Sequence, residues 1–232
     1  MNSKGRNVFW HGYKAHLAVT AGSQYILSAV LTSAHIADIS MAIPLMREIK
    51  KLGVQDVHVL FDKGYDALNV YEKAHSLGLE PIIPLKRDTK SDGERNADYA
   101  PTCLIEEAYK YDNLDHRYGA LKYIRPEARC AQCPLQHEGM CQKVIKIKQK
   151  TNPRQYSHPA RGSKAWDKLY AQRNSVERVN GNLKENMELS DTSYFKAELV
   201  EVELLLIQLG YNAKRYATQR LNRQKLGKGT VA

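Results

Sequence analysis

Between Tyr13 and Thr20 the chain alternates, with Tyr13, Ala15, Leu17 and Val19 on one side and Lys14, His16, Ala18 and Thr20 on the other. A period of two predicts a strand. The turn Ala21-Gly22-Ser23 follows, and Tyr25 to Thr32 is a second run of strand formers. Two strands around a short glycine turn predict an antiparallel hairpin. Ile39, Ile43, Met46 and Ile49 then recur at helical spacing. This predicts a helix capped by Asp38 or Ser40, running to about Leu52 and stopped by Gly53, with Pro44 in its tolerant first turn. Val57 to Phe61 is short and almost wholly apolar, as a buried central strand would be. A helix from about Tyr65 to Leu77, stopped by Gly78, and a strand from Pro81 to Leu85 complete the order. Strand, helix, strand, helix, strand after an opening hairpin predicts an α/β domain around a mixed sheet.

Residues 86–163 break this rhythm. They are polar, rich in Arg, Lys and Asp, and hold every cysteine. They read as an insertion with its own small structure. Helical character returns from about Ser163 to Met187. A last helix spans about Tyr194 to Arg220, with Leu199, Val202, Leu205, Leu206 and Leu209 on its apolar side, before a basic, frayed tail from Asn222.

Composition then changes the picture through the placement of charge. The formal charge is +10. Residues 1–142 are neutral, with 17 basic and 17 acidic side chains, so the whole excess lies in 143–232, with 18 against 8. From Lys143 to Lys164 there are seven basic residues (Lys143, Lys146, Lys148, Lys150, Arg154, Arg161 and Lys164) and no acid. Such a stretch is either a well-solvated surface or the footprint of a polyanion, with nucleic acid the default partner. Lys146, Lys148 and Lys150 are its candidate phosphate contacts. No apolar run approaches the roughly 20 residues that cross a bilayer. Met1 to Trp10 lacks the apolar core of a signal peptide, so a cytoplasmic location is expected.

Four cysteines stand at Cys103, Cys130, Cys133 and Cys141. Without a secretion signal, clustered cysteines favour metal over disulfide. Cys130-x2-Cys133 is a tight chelating pair, Cys141 a third ligand, and Cys103 or His137 the fourth of a tetrahedral zinc site. Reduced, metal-free thiols are the other reading.

Two segments could carry acid or metal chemistry. Asp62 ends the Val57–Phe61 strand, where sites of open α/β sheets collect. It is either a metal ligand through oxygen or a helix cap. Farther on, Tyr170, Arg173, Glu177 and Lys184 lie at roughly 0°, −60°, −20° and −40° on one continuous helix, at about 100° per residue. Val176, Val179 and Leu183 mark its apolar side. Charges on a helix usually form a solvated face or ion pairs. A tyrosine, an arginine, an acid and a lysine on one stripe also suit phosphate and metal, with Glu177 as ligand and Arg173 and Lys184 against phosphates.

The pattern Tyr170-x2-Arg173-x3-Glu177-x6-Lys184 resembles the Y-x2-R-x3-E-x6-K signature of a large group of bacterial insertion-sequence DDE transposases. Gly12–Thr20 (GYKAHLAVT), Ala29–Asp38 (AVLTSAHIAD) and Val59–Asp66 (VLFDKGYD) resemble the same family in the same order. The resemblance implies an RNase H-like mixed sheet flanked by helices, a cysteine-containing insertion and a C-terminal helix. In domain terms it implies a partial catalytic domain at 8–220, interrupted by 87–163, with a basic tail at 221–232. It further implies DNA transposition by two-metal phosphoryl transfer with Mg²⁺ or Mn²⁺. Asp62 matches the second catalytic aspartate and Glu177 the glutamate, while Tyr170, Arg173 and Lys184 match contacts to transposon-end DNA.

The family's first aspartate precedes the Gly12–Thr20 segment, yet the first acidic residue here is Asp38. Asp38 aligns with the turn after the following strand and is a poor substitute. The expectation is therefore a truncated transposase, inactive alone. The alternative is a non-catalytic fragment that binds transposon ends, pairs with itself or pairs with the full-length transposase at the nucleoid.

Overall fold

The computed structural model describes residues 12–53, 57–86, 95–135 and 141–228. In chain order the elements are β1 (Tyr13–Val19), β2 (Ile26–Ser33), α1 (Ala42–Lys51), β3 (Val57–Leu60), α2 (Leu68–Ser76) and β4 (Leu79–Ile82). Then follow β5 (Lys110–Asp115), β6 (Ala120–Ile124), α3 (Glu127–Cys130), β7 (Val144–Lys148), α4 (Lys164–Tyr170), α5 (Asn174–Asn186) and α6 (Ala197–Lys228). This is a mixed α/β chain. Its described residues fall into two compact units, Met1–Val54 with Arg173–Ala232, and Gln55–Gln172.

The first unit opens with the predicted hairpin. β1 and β2 pair antiparallel, with Tyr13 opposite Ser33 and Leu17 opposite Ala29. Its interior gathers Ile26, Val179, Leu183 and Tyr211, with Leu17, Val19 and Ile207 packed around them. Strand periodicity on the hairpin and helical periodicity on α5 thus supply two facing apolar surfaces. Asn212 locks α6 to β2, because its side-chain amide donates to the Ile26 carbonyl at 2.8 Å and its oxygen accepts from the Ile26 amide at 2.9 Å.

Three expectations fail here. Neither Asp38 nor Ser40 caps α1. A 3-10 turn occupies Asp38–Met41, and the N-cap position is Met41, with no side-chain bond. Asp38 instead faces β1, 3.2 Å from the Lys14 ammonium and 3.6 Å from His16. The last helix does not end at Arg220 but continues to Lys228. Its inward residues are Val200, Leu204 and Tyr211, whereas Leu199, Val202, Leu205, Leu206 and Leu209 are 46–67% exposed. Apolar residues surround more than half of this helix, and periodicity alone could not choose the packed side.

In the second unit β3 and β4 run parallel, with Val57 opposite Leu79 and Leu60 opposite Ile82. α2 connects them and buries Val70, Tyr71 and Ala74. β4 starts and ends earlier than the apolar run Pro81–Leu85 suggests. α2 starts later than Tyr65, because a 3-10 turn takes up Lys63–Tyr65. Residues 110–148 form an antiparallel three-stranded sheet in the order β5-β6-β7. Its core is rich in tyrosine, with Tyr99, Tyr109, Tyr123 and Tyr156 around Leu121.

The helix predicted from Ser163 to Met187 is broken. Ser163 caps α4 by accepting from the Trp166 amide at 3.2 Å. Ala171–Arg173 then form a 3-10 turn, and α5 begins at Asn174. The unit boundary also falls here, between Gln172 and Arg173.

Candidate functional site

Asp62 lies two residues beyond the end of β3 and is exposed. Its backbone is extended, and Oδ1 accepts from the Gly64 amide at 3.1 Å. The capping role is therefore realised. A carboxylate has room for a metal besides one such bond, since two oxygens offer about four lone-pair directions.

Four residues later Asp66 has the opposite environment. It is 5% exposed. Arg154 grips it through two bonds, Nε to Oδ1 at 2.8 Å and Nη2 to Oδ2 at 2.6 Å. The Lys86 amide donates to Oδ2 at 2.7 Å and the Tyr71 hydroxyl to Oδ1 at 3.1 Å. Burial pushes the Asp66 pKa up, but the bonds from Arg154, Lys86 and Tyr71 outweigh it and hold it below the ordinary carboxylate value. Burial raises the Tyr71 phenol to about 12. Arg161, also buried, donates from Nη2 to Tyr71 at 2.9 Å and to the Ile83 carbonyl at 2.7 Å. Sequence reading missed this network. Its only advance signal was an acid directly after the Lys-Gly-Tyr turn.

The network corrects the charge argument for 143–164. Arg154 and Arg161 serve the interior of the second unit rather than a polyanion. Lys146 is exposed but bonds Asp115 at 2.7 Å. Lys148 and Lys150 are exposed at the end of β7 and just beyond it, as are Lys143 and Lys164.

In the first unit, α5 presents Glu177 and Lys184 to solvent while Val179 and Leu183 are fully buried. These two exposed residues are seven positions apart, so they share one side within about 20°. Arg173, at the N-cap position, pairs with Glu177 one turn on, Nη2 to Oε1 at 2.8 Å. Ser175 fixes the start of the helix by donating to the Ala21 carbonyl at 2.6 Å. Tyr170 belongs to α4 and the second unit, so the single-helix stripe does not hold for it. Its ring stacks on Trp166 at 5.0 Å between centroids and a 22° tilt.

Two further clusters stand out. Arg178, Asn182, Lys214, Arg215 and Thr218 of α5 and α6 line a cationic cleft of about 280 Å³ with Gln24 and Tyr211. Sequence reading passed it over, because its charges come from two helices. In the second unit all four cysteines, none in a disulfide, line one small cavity. His137 lies outside the described residues. Among the described residues no three His, Cys, Asp or Glu side chains are already gathered as a metal-binding group. The donor chemistry of Asp62 and Glu177 is that of hard, exposed oxygen, which suits Mg²⁺. No described helix is long and apolar enough to cross a membrane.

Comparison with known proteins gives one clear result. The family model described as the transposase DDE domain matches residues 1–213. No match was found among curated proteins or among solved structures. The family match spans nearly the whole chain, including β1 to β4, Asp62 and the α5 segment around Glu177, and so the chain belongs to the transposase DDE domain family.

Proposed function

We propose that the chain acts in DNA transposition, binding transposon-end DNA and contributing Asp62 and Glu177 as carboxylates of Mg²⁺-dependent strand cleavage and joining on an RNase H-like fold. The observation that carries this reading is the exposed side of α5, where Arg173 holds Glu177 at 2.8 Å and Lys184 lies along the same side. An acid there is a ligand kept in place by its neighbour, and the cations suit phosphate oxygens. Bound Mg²⁺ would supply Lewis-acid stabilisation of charge on the scissile phosphate. The chain's own side chains do the rest. Arg173 orients Glu177, the Gly64 amide orients Asp62, and Lys184, Lys148 and Lys150 neutralise DNA phosphates. The cysteine-bearing region 87–163 is read as an insertion in this catalytic domain.

A second reading is favoured by one specific feature. Two-metal transfer in this family uses three carboxylates, and no third is assigned in this chain. Asp38, the first acid in the sequence, is engaged by Lys14 and His16. The cleft of Arg178, Lys214 and Arg215 adds phosphate-binding capacity independent of cleavage. By this reading the chain is a DNA-end binder that does not cut alone, partnered by itself or by a full-length transposase at the nucleoid.

A single assay separates the two. Purified protein is mixed with labelled duplex carrying the terminal repeats that flank its coding sequence, in Mg²⁺ or Mn²⁺. Retardation of that duplex over a scrambled one is the expected result on both readings, and retardation without nicking is the outcome of the second alone. Nicking that disappears in Glu177→Gln would establish the catalytic reading for this chain by itself. Equal, weak binding to both duplexes would overturn both.

A further inference from the structure

The four cysteines take no part in the chemistry above, yet the fold draws them together. Cys103 sits in a tight turn, where its amide donates to the Glu107 carbonyl at 3.0 Å and its carbonyl accepts from the Glu106 amide at 2.9 Å. Cys130 ends α3, and the Cys133 amide closes a turn back onto the Cys130 carbonyl at 3.2 Å. Cys141 leads into β7. Tyr109, six residues after Cys103, donates from its hydroxyl to the Gln142 carbonyl at 2.8 Å. That bond ties the Cys103 segment to the Cys141 segment. Three separate stretches of chain thus bring their thiols to the wall of one cavity of about 20 Å³.

The size and lining of the cavity narrow what it can take. It has room for about one water-sized body, which excludes an organic ligand. Ile105, Tyr109 and Pro126 supply apolar wall, and Arg125 and Arg129 stand beside the thiols. Soft thiolates select zinc among the common divalent ions. Four thiolates around Zn²⁺ leave a net charge of about −2, which Arg125 offsets in part, while Arg129 is shared with the Glu107 carboxylate of the same wall at 3.7 Å. The thiols are half-buried, and among the described residues no three of them stand as a ready-made metal group.

We propose that Cys103, Cys130, Cys133 and Cys141 bind one structural zinc ion, with Cys103 rather than His137 as the fourth ligand. On binding, each thiol loses its proton to solvent and forms one Zn–S bond, so about four protons are released per ion. The ion would pin the Cys103 turn, α3 and the start of β7 to one another.

The test uses the full chain purified without chelator. Zinc is quantified, then released by stepwise thiol modification. About one equivalent per chain, lost as four thiols react, is expected. Zinc well below one equivalent that is not restored by added Zn²⁺ overturns the proposal. For ligand identity the protein is loaded with Co²⁺, whose thiolate charge-transfer absorbance grows with the number of bound sulfurs. Cys103→Ser is expected to remove about a quarter of that intensity. An unchanged spectrum with the loss transferred to His137→Ala would overturn the assignment of Cys103. Should Cys103→Ser fail to fold, the four-thiol release from unaltered protein still decides the site. Glu177→Gln is expected to leave zinc content unchanged, so failure of this proposal and failure of the transposition reading are distinguishable.

Discussion

Asp62 and Asp66 share one Asp-Lys-Gly-Tyr-Asp run, and burial alone separates their roles. Asp62 is exposed with one amide bond, whereas Asp66 is enclosed by two arginine bonds, an amide and a phenol. Removing one partner of a buried pair leaves the other charge uncompensated, a cost of about 3–5 kcal/mol. Asp66→Asn is therefore expected to destabilise the chain by about 3 kcal/mol in urea denaturation, the low end because the Arg154 side chain is 26% exposed. The sign of its pH dependence follows from a carboxyl held below its ordinary value. Its contribution is present above the unfolded pKa near 3.8 and is lost as pH falls through the lower folded value. Asp66→Asn should flatten that acid limb, and an unchanged limb would count against the network. Asp62→Asn, by contrast, is expected to shift stability by less than about 0.5 kcal/mol, because the exposed amide can still accept from Gly64.

At the scale of elements, helix existence was legible in the chain, but helix faces and breaks were not. Val179 and Leu183 are buried as their spacing suggests. On α6 the apolar positions are too many for spacing to select a face, and tertiary packing buries Leu204 and Tyr211, the latter in the cluster around Ile26 of β2, rather than Leu206 and Leu209. Leu183→Ala should cost about 2–5 kcal/mol, as large-to-small core changes do. Leu206→Ala, at 63% exposed, should move stability by less than about 0.5 kcal/mol. A large loss from Leu206→Ala in thermal or urea unfolding would show that the face is wrongly assigned. The break at Ala171–Arg173 had no glycine or proline to announce it. It coincides instead with the passage from one compact unit to the other.

For the whole molecule, net charge pointed to a polyanion, and the structure reduces the number of cations available to it. Each exposed lysine that meets a DNA phosphate contributes about 0.9 to the slope of log affinity against log salt. Lys148→Ala and Lys150→Ala are each expected to lower that slope by about this amount in retardation titrations, and Leu206→Ala by nothing. Slopes unchanged in both lysine variants would remove β7 and its end from the DNA contacts. Acid sensitivity is also a property of the whole. Burial lowers the pKa of His58, His75 and His158 below 6.5. The unfolded chain then binds more protons over that range, so stability falls as pH drops from about 6.5 towards the folded values. This limb lies above the Asp66 limb, so on acidification from pH 7 stability should begin to fall in the histidine range before the Asp66 range is reached.

Sequence alone determined what depends on local order. The hairpin, the apolar strand leading towards Asp62, the Arg173-Glu177-Lys184 spacing and the family followed from periods of two and 3.6 and from fixed identities at fixed intervals. Tertiary structure decided what depends on neighbours distant in the chain. It turned Arg154 and Arg161 inward, because a buried carboxylate and phenol needed donors. It chose the packed side of α6, and it separated Tyr170 from the helix of Glu177. It also drew Cys103 to a cavity shared with cysteines up to 38 positions away. Spacing could nominate those thiols, but only folding could set all four on the wall of one cavity.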